Sequence, residues 1–229
     1  MTVDFMYKVV LFTLNKNQGQ GNLKPDDFNN SANLAQYDFL NYLLGIFQQY
    51  QGGRPVATVQ FGMNESVRQR LTPFIKPVVP LTPDTTGFAA YPSDYQQGDA
   101  MYDSAMNRIR YVQQHKLYSY LYSTIDPINS NPIFLIESGG FRFYPNMTWN
   151  NTASPNAFLS YVSTPANITW GYILDPNGIP VYNPGTSSDP EWYDVDCEQI
   201  IDRILRRCGV NLNAGQVSQY AQELKLQGS

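Results

Sequence analysis

From Pro190 to Leu226 the chain carries its most restrictive pattern. Cys197, Ile200, Ile201, Ile204, Leu205 and Cys208 recur at i, i+3, i+4, i+7, i+8 and i+11. That spacing lays one continuous apolar stripe along a helix. Asp189 and Pro190 suit its opening, and Glu191, Asp194 and Asp196 suit its positive N-terminal end. Arg206 and Arg207 suit its negative last turn, and Gly209 supplies a left-handed residue to stop it. After Asn211-Leu212-Asn213 a second helix is expected, with Val217, Tyr220, Ala221 and Leu224 on one face. Each stripe must be covered by another element, and the matching stripes lie at the far end of the chain.

There, residues 3 to 14 read as a helix with Val3, Met6, Val9, Val10 and Thr13 on one side. The polar run Asn15 to Asn22 has a calcium-loop look. It lacks early carboxylates and a glycine sixth from Asn15, so no metal site is expected in it. Pro25-Asp26-Asp27 opens a long helix that buries Phe28, Ala32, Ala35, Phe39, Tyr42, Leu43 and Ile46 and ends within Gln48 to Gly53. Asn64 caps a short helix carrying Val67 and Leu71, closed by Pro73. The expected bundle core is therefore Phe28, Ala35, Phe39 and Leu43 against Ile200, Ile201, Ile204 and Leu205.

From Lys76 the pattern changes to short segments rich in Tyr, Phe, Ile and Val, punctuated by prolines from Pro77 to Pro184. That is the rhythm of strands and turns. Ile133 to Ile136 and Phe141 to Tyr144 make a hairpin around Glu137-Ser138-Gly139-Gly140, with Phe141 and Phe143 on one face. Phe158 to Val162 is another strand. Trp170 to Leu174, the turn Asp175-Pro176-Asn177-Gly178, and Ile179 to Tyr182 form a second hairpin. Arg108 to Val112 reads as a strand and His115 to Tyr122 as a short helix. The fold class is thus α+β: a bundle from the N- and C-terminal helices with an inserted antiparallel β domain. Three regions follow, with the N-terminal helices at 1–76, the β-rich insert at 77–186 and the C-terminal helices and arm at 187–229.

Composition excludes several classes. Charged residues are only 15% and hydrophobic ones 42%, which suits neither a disordered chain nor a membrane span. The first residues show no basic segment followed by an apolar core, so no signal peptide is expected. The sequons at Asn29, Asn64, Asn146, Asn150 and Asn167 then read as products of an Asn-rich chain. Cys197 and Cys208 lie about 16 Å apart on one helix and cannot bridge each other, so both are expected as reduced core residues. The net charge of −4, with no long basic run, argues against tight nucleic-acid binding.

Catalytic constellations are also missing from the pattern. The single histidine, His115, sits among Gln113, Gln114 and Lys116 and reads as solvated. Asp194 and Asp196 read as helix-dipole partners and not as an acid/base pair. No nucleotide-binding or nucleophile-elbow motif occurs, and no cofactor is expected. The 17 tyrosines and 3 tryptophans suit either a stacking groove for sugars or bases, or interfaces between subunits. With few charges to keep the chain monomeric, assembly is the favoured reading.

Six stretches, in order, resemble the head-to-tail connector (adaptor ring) proteins of short-tailed double-stranded DNA phages, those of crAss-like gut phages in particular. They are Gly21 to Asn29, Tyr91-Pro92-Ser93-Asp94-Tyr95, Asn131 to Phe134, Phe141 to Pro145, Leu159 to Pro165, and Ile200 to Leu205 running through Cys208-Gly209-Val210-Asn211-Leu212. Each is a fold signature without a chemical residue. The resemblance implies a non-enzymatic virion protein at the portal vertex, assembled in the host cytoplasm. It implies copies of itself in a closed ring, twelve-fold, beneath the portal protein and above neighbouring tail or ring proteins. Double-stranded DNA would pass through without specific binding, and no membrane would be involved. Arg206, Arg207, Leu212, Val217, Tyr220 and Leu224 are the expected partner or portal contacts, with Leu212 to Ser229 as the reaching arm. A glycan- or receptor-binding β module of a phage tail is the alternative, and a hydrolase using scattered carboxylates ranks last.

Overall fold

The computed structural model describes residues 1–18, 23–45, 65–121, 131–145 and 157–211. Five α-helices occur among them: α1 (Val3–Gln18), α2 (Pro25–Gly45), α3 (Glu65–Leu71), α4 (Leu117–Leu121) and α5 (Asp194–Asn211). The strands are β1 (Ile75–Leu81), β2 (Phe88–Ala90), β3 (Tyr95–Asp103), β4 (Arg110–Tyr111), β5 (Ile133–Glu137), β6 (Gly140–Tyr144), β7 (Ala157–Ser163), β8 (Tyr172–Leu174) and β9 (Pro180–Tyr182). The fold is mixed α+β. N-terminal helices α1 and α2 pack on C-terminal α5, and the central sheets are inserted between them in sequence.

The chain divides into two compact units. Among the described residues the helical unit holds 1–18, 23–45, 65–73 and 165–211, and the β unit holds 74–121, 131–145 and 157–164. The hairpin β8–β9 therefore belongs with the helices, although its prolines and alternation place it in the β-rich stretch of the sequence.

In the helical unit, α2 buries Phe28, Ala32, Ala35, Gln36, Phe39, Leu40, Leu43 and Leu44. From α5 the buried residues are Cys197, Ile200, Ile201, Ile204 and Cys208, and from α1 Val3, Met6, Tyr7, Val10 and Leu14. Phe28 and Phe39 have no exposed surface, and each such side chain contributes about 2–3 kcal/mol of burial free energy. Leu205 is only half-buried, at the margin of the α5 stripe. Tyr42, expected inside, is exposed. Its ring lies one step off the buried face and serves as a platform for the Arg203 guanidinium, 5.4 Å from its centroid.

Three helix limits differ from the sequence pattern: α1 continues to Gln18, through the first residues of the expected polar loop, and both ends of α5 shift. Helix α5 starts at Asp194, four residues after Pro190, and runs two residues past Gly209. Glycine inside a helix costs about 1 kcal/mol and does not by itself end one. Asp189 acts instead on another helix: its Oδ1 accepts the Val3 N–H at 2.7 Å, satisfying an open donor in the first turn of α1.

In the β unit, β7 is the middle strand of the sheet β1-β7-β3, and β6 and β5 lie inside the sheet β2-β6-β5-β4. Leu81, Met101, Leu159 and Tyr161 of the first sheet share one core with Ala89, Phe134, Phe141 and Phe143 of the second. The 133–144 hairpin forms in the register the sequence implies, with Glu137 opposite Gly140 and Gly139 at φ +81° in the turn. The antiparallel expectation has one exception. Strand β4 pairs with β5 in parallel, a pairing that no alternation pattern can reveal.

Candidate assembly surfaces

The helical unit is held by a ladder of side-chain amides. Asn29, Asn33 and Gln36 stand at i, i+4 and i+7 on one face of α2. Opposite them the extended segment 166–170 presents alternate residues. Asn29 Oδ1 accepts the Trp170 N–H at 2.7 Å, while its Nδ2 donates to the Trp170 carbonyl at 3.3 Å. Asn33 repeats this on Ile168, at 2.9 and 3.0 Å. Gln36 Nε2 donates to the Ala166 carbonyl at 3.0 Å. A helix face thus supplies, on one edge of the segment, the hydrogen bonds that a neighbouring strand would supply, while Thr169 bridges to Ser188 on the other edge, so that Ile168 and Trp170 can be buried.

Trp170, at the end of this ladder, joins α1 to the hairpin. Its ring stacks on Tyr7 with centroids 4.3 Å apart, and Tyr172 and Tyr182 lie at 6.0 and 5.7 Å. Its indole N–H donates to Asp4 Oδ1 at 3.2 Å. Burial works to raise the Asp4 pKa, but the bonds from Lys8 and Trp170 outweigh it and hold the carboxyl below its ordinary value. The cross-strand pair Tyr172 and Tyr182 uses one face of the hairpin base in this stack.

Among the described residues nothing covers the rest of the hairpin. Ile173 and Val181 form the next cross-strand pair, and Leu174 and Ile179 flank the turn. All four are exposed, Leu174 by 63%. Helix α1 has a second open surface. Its exposed Phe5 and Phe12 and half-buried Val9 fall at i, i+4 and i+7, on the side away from Met6, Val10 and Leu14. A helix apolar on both sides is the mark of one buried on both sides, yet Phe12 is 68% exposed. The sequence reading missed these residues. The signal was the second apolar stripe of α1, in a stretch from Val3 to Leu14 whose polar residues are Asp4, Lys8 and Thr13.

The expected contact residues fare differently. Arg207 forms an ion pair with Asp38 of α2 inside the helical unit, while Arg206 is exposed. Leu212, Val217, Tyr220 and Leu224 lie outside the described residues, as do Ile46, Asn64 and the C-terminal helix. Arg203 lies over Phe39 at 5.0 Å, its pKa lowered by burial. Several aromatic residues of the β unit pack into its core, although Tyr118 is exposed. Tyr91 and Tyr95 stack at 4.6 Å and meet Phe141 edge-on, and the Tyr161 hydroxyl donates to Asp94 at 2.8 Å. Burial, followed by the Asp94 hydrogen bond, pushes Tyr161 up to about 12.

Among the described residues, no group of three or more His, Cys, Asp or Glu side chains is placed to hold a metal ion. None of the described helices is long and apolar enough to cross a membrane. His115 is exposed, and Asp194 and Asp196 part company. Asp194 is exposed, whereas Asp196 is buried with its Oδ1 3.3 Å from Arg70 Nε of α3. Burial raises the Asp196 pKa and Arg70 opposes the rise. The sequence reading of Asp196 as a helix-dipole and capping residue did not show its burial, because a place in the first helical turn fits both roles. Cys197 and Cys208 are unbridged and buried. No protein-family model matches the chain, and no curated protein matches it.

Proposed function

We propose that the chain is a structural subunit of a ring at the portal vertex of a short-tailed phage, extending the DNA channel and giving tail proteins a platform. The observation that carries this reading is the pair of apolar faces left open on one unit, the outer side of α1 and the tip of β8–β9. Contiguous apolar surface of this kind marks an interaction site on a folded protein. Two different faces on one chain suit head-to-tail contacts that close into a ring, for which twelve copies are the expectation. The chain's net charge of −4 and lack of a basic run suit a lumen that lets DNA pass without gripping it. The portal protein and neighbouring tail or ring proteins are the proposed further partners, with Arg206 and the segment after Asn211 as the contacts.

Imaging of the phage particle tests this directly. Density for this chain as a closed ring between portal and tail is the expected result, and its occurrence as a solitary copy or in a fibre tip would defeat the proposal. The competing glycan- or receptor-binding module predicts saturable binding to host polysaccharide. It draws less support from Tyr91 and Tyr95, which stack on each other against the β core, and from Tyr161, which is buried in that core.

A further inference from the structure

We propose that Asn177 is a site of self-modification: its side-chain amide cyclises on the Gly178 nitrogen, the turn between β8 and β9 holds the rate down, and the isoaspartyl product opens that turn. The inference is independent of the ring reading.

Asn177-Gly178 is the only Asn-Gly pair in the sequence. Glycine leaves its backbone nitrogen unshielded, and a Cβ built at Gly178 would meet nothing within 4 Å. Both residues are exposed, so base and water reach them. Asn29 and Asn33, by contrast, lie in α2 with their amides engaged by the 166–170 segment. Asn183 precedes Pro184, whose nitrogen has no proton to lose.

The resting turn opposes the reaction. The Gly178 N–H donates to the Asp175 carbonyl at 2.9 Å. Asp175 Oδ1 accepts the Asn177 N–H at 2.9 Å and the Ile179 N–H at 2.8 Å, which clamps the backbone on both sides of the Asn177–Gly178 bond. The Gly178 nitrogen must leave its own hydrogen bond to lose its proton, and the backbone must rotate to bring it to Asn177 Cγ. The chemistry therefore starts from the opened turn.

The deprotonated Gly178 nitrogen attacks Asn177 Cγ. A C–N bond forms, the Cγ–Nδ2 bond breaks, and ammonia leaves with a proton taken up from water. The resulting succinimide then adds one water. Opening at Cγ gives ordinary aspartate, while opening at the former backbone carbonyl gives isoaspartate, whose chain runs through Cγ. Asn177 Nδ2 sits 3.5 Å from Asp175 Oδ2, so the aspartyl product sets a second carboxylate beside the first. The isoaspartyl product lengthens the backbone by one atom inside the turn, which carries the Gly178 N–H out of register with the Asp175 carbonyl.

The test incubates the full chain, native and in urea, in mildly alkaline heavy-oxygen water, and maps its peptides by mass spectrometry. Heavy oxygen should enter at residue 177, with isoaspartate among the products, and Asn177→Gln should abolish both. When the urea-unfolded chain has fully converted, about one native molecule in ten should have done so. Asp175→Ala removes the Oδ1 clamp and should speed the native reaction about tenfold, whereas Asp175→Asn keeps an acceptor oxygen and should stay near the native rate. In the purified isoaspartyl form the Gly178 and Ile179 amides should exchange hydrogen about tenfold faster than in the unmodified chain.

A native chain that takes up no heavy oxygen at Asn177 would overturn the proposal. Equal rates in native and unfolded protein, or in Asp175→Ala and the unsubstituted chain, would remove the turn as the control and overturn it as well. Unchanged exchange at Gly178 and Ile179 would overturn the claim that the product opens the turn.

Discussion

Asn33 holds Ile168 by both of its backbone groups, accepting the N–H at 2.9 Å and donating to the carbonyl at 3.0 Å across 135 residues of sequence. The same Nδ2 also reaches the Asn29 carbonyl at 2.8 Å, which locks the amide in the orientation the segment needs. Asn33→Ala would strand one donor and one acceptor of a partly buried strap, at a cost of about 2 kcal/mol in urea unfolding. Asn33→Asp keeps the acceptor but sets a carboxylate against two carbonyl oxygens. It should therefore destabilise at neutral pH and recover in acid, when a protonated oxygen can donate again. Equal losses for the two variants at every pH would contradict the paired geometry. The double change with Asn29→Ala should cost less than the two single costs added, because both hold one strap.

The ladder also marks the boundary of what the sequence could reveal. Helix periodicity located the faces of α2 and α5 because each buried residue repeats within one element: Phe28, Ala35, Phe39 and Leu43 are buried, as are Ile200, Ile201 and Ile204. Asn29, Asn33 and Gln36 follow the same period, but amides at that spacing look like a solvated stripe. Their partners, Ala166, Ile168 and Trp170, show nothing local that marks a gripped backbone. Tyr42 shows the same weakness from the other side. Its aromatic ring fits the apolar pattern, and only the position of Arg203 explains its exposure. The ion pair of Arg70 with Asp196 was equally invisible, since charge order along a chain says nothing about which carboxylate is covered. The apolar tip of β8–β9 was read as a plain hairpin because alternation identifies strands without saying whether both faces are covered.

Asp196 gives a pH dependence whose sign follows from its burial. Its folded pKa is raised, so its contribution is fully present below the ordinary carboxylate value of 3.8 and is lost as pH rises through the folded value. Arg70→Ala removes the opposing charge and leaves a buried carboxylate without its cation, at a cost of about 2 kcal/mol near neutral pH. That deficit should shrink as pH falls through the raised folded value of Asp196, where the carboxyl takes up its proton. Asp196→Asn should show a flatter urea midpoint against pH than the unsubstituted chain. A deficit for Arg70→Ala that is the same across that range would show that the pair is not electrostatic in origin.

Gly171 is where the strap meets the turn Asn183 to Ser187. Its N–H donates to Ser187 Oγ at 2.9 Å and its carbonyl accepts from the Asn183 N–H at 2.8 Å. A Cβ there would lie 2.2 Å from Thr186 Oγ1 and 2.6 Å from its carbonyl carbon and oxygen, so backbone must move. Gly171→Ala should cost about 3 kcal/mol. Gly178 provides the comparison: its φ is +79° but its Cβ would point into open space. Gly178→Ala should cost only about 1 kcal/mol, from backbone strain alone. Thermal midpoints that rank the two substitutions the other way would refute the close approach at Gly171.

Cys197 tests the bundle from within. Burial pushes its thiol up to about 11 and raises that of Cys208 as well. Only the thiolate reacts with alkylating reagents, so at mildly alkaline pH Cys197 should label at least about a hundredfold more slowly than an unhindered thiol. Labelling of both residues should rise together with urea, because Cys197 lies in the first turn of α5 and Cys208 near its end, on one stripe covered by one core. Mass spectrometry of partly labelled protein distinguishes the cases. Molecules carrying either no label or two show that α5 leaves the core as a unit, while abundant single labelling at Cys208 would mean that the end of the helix opens before its first turn does.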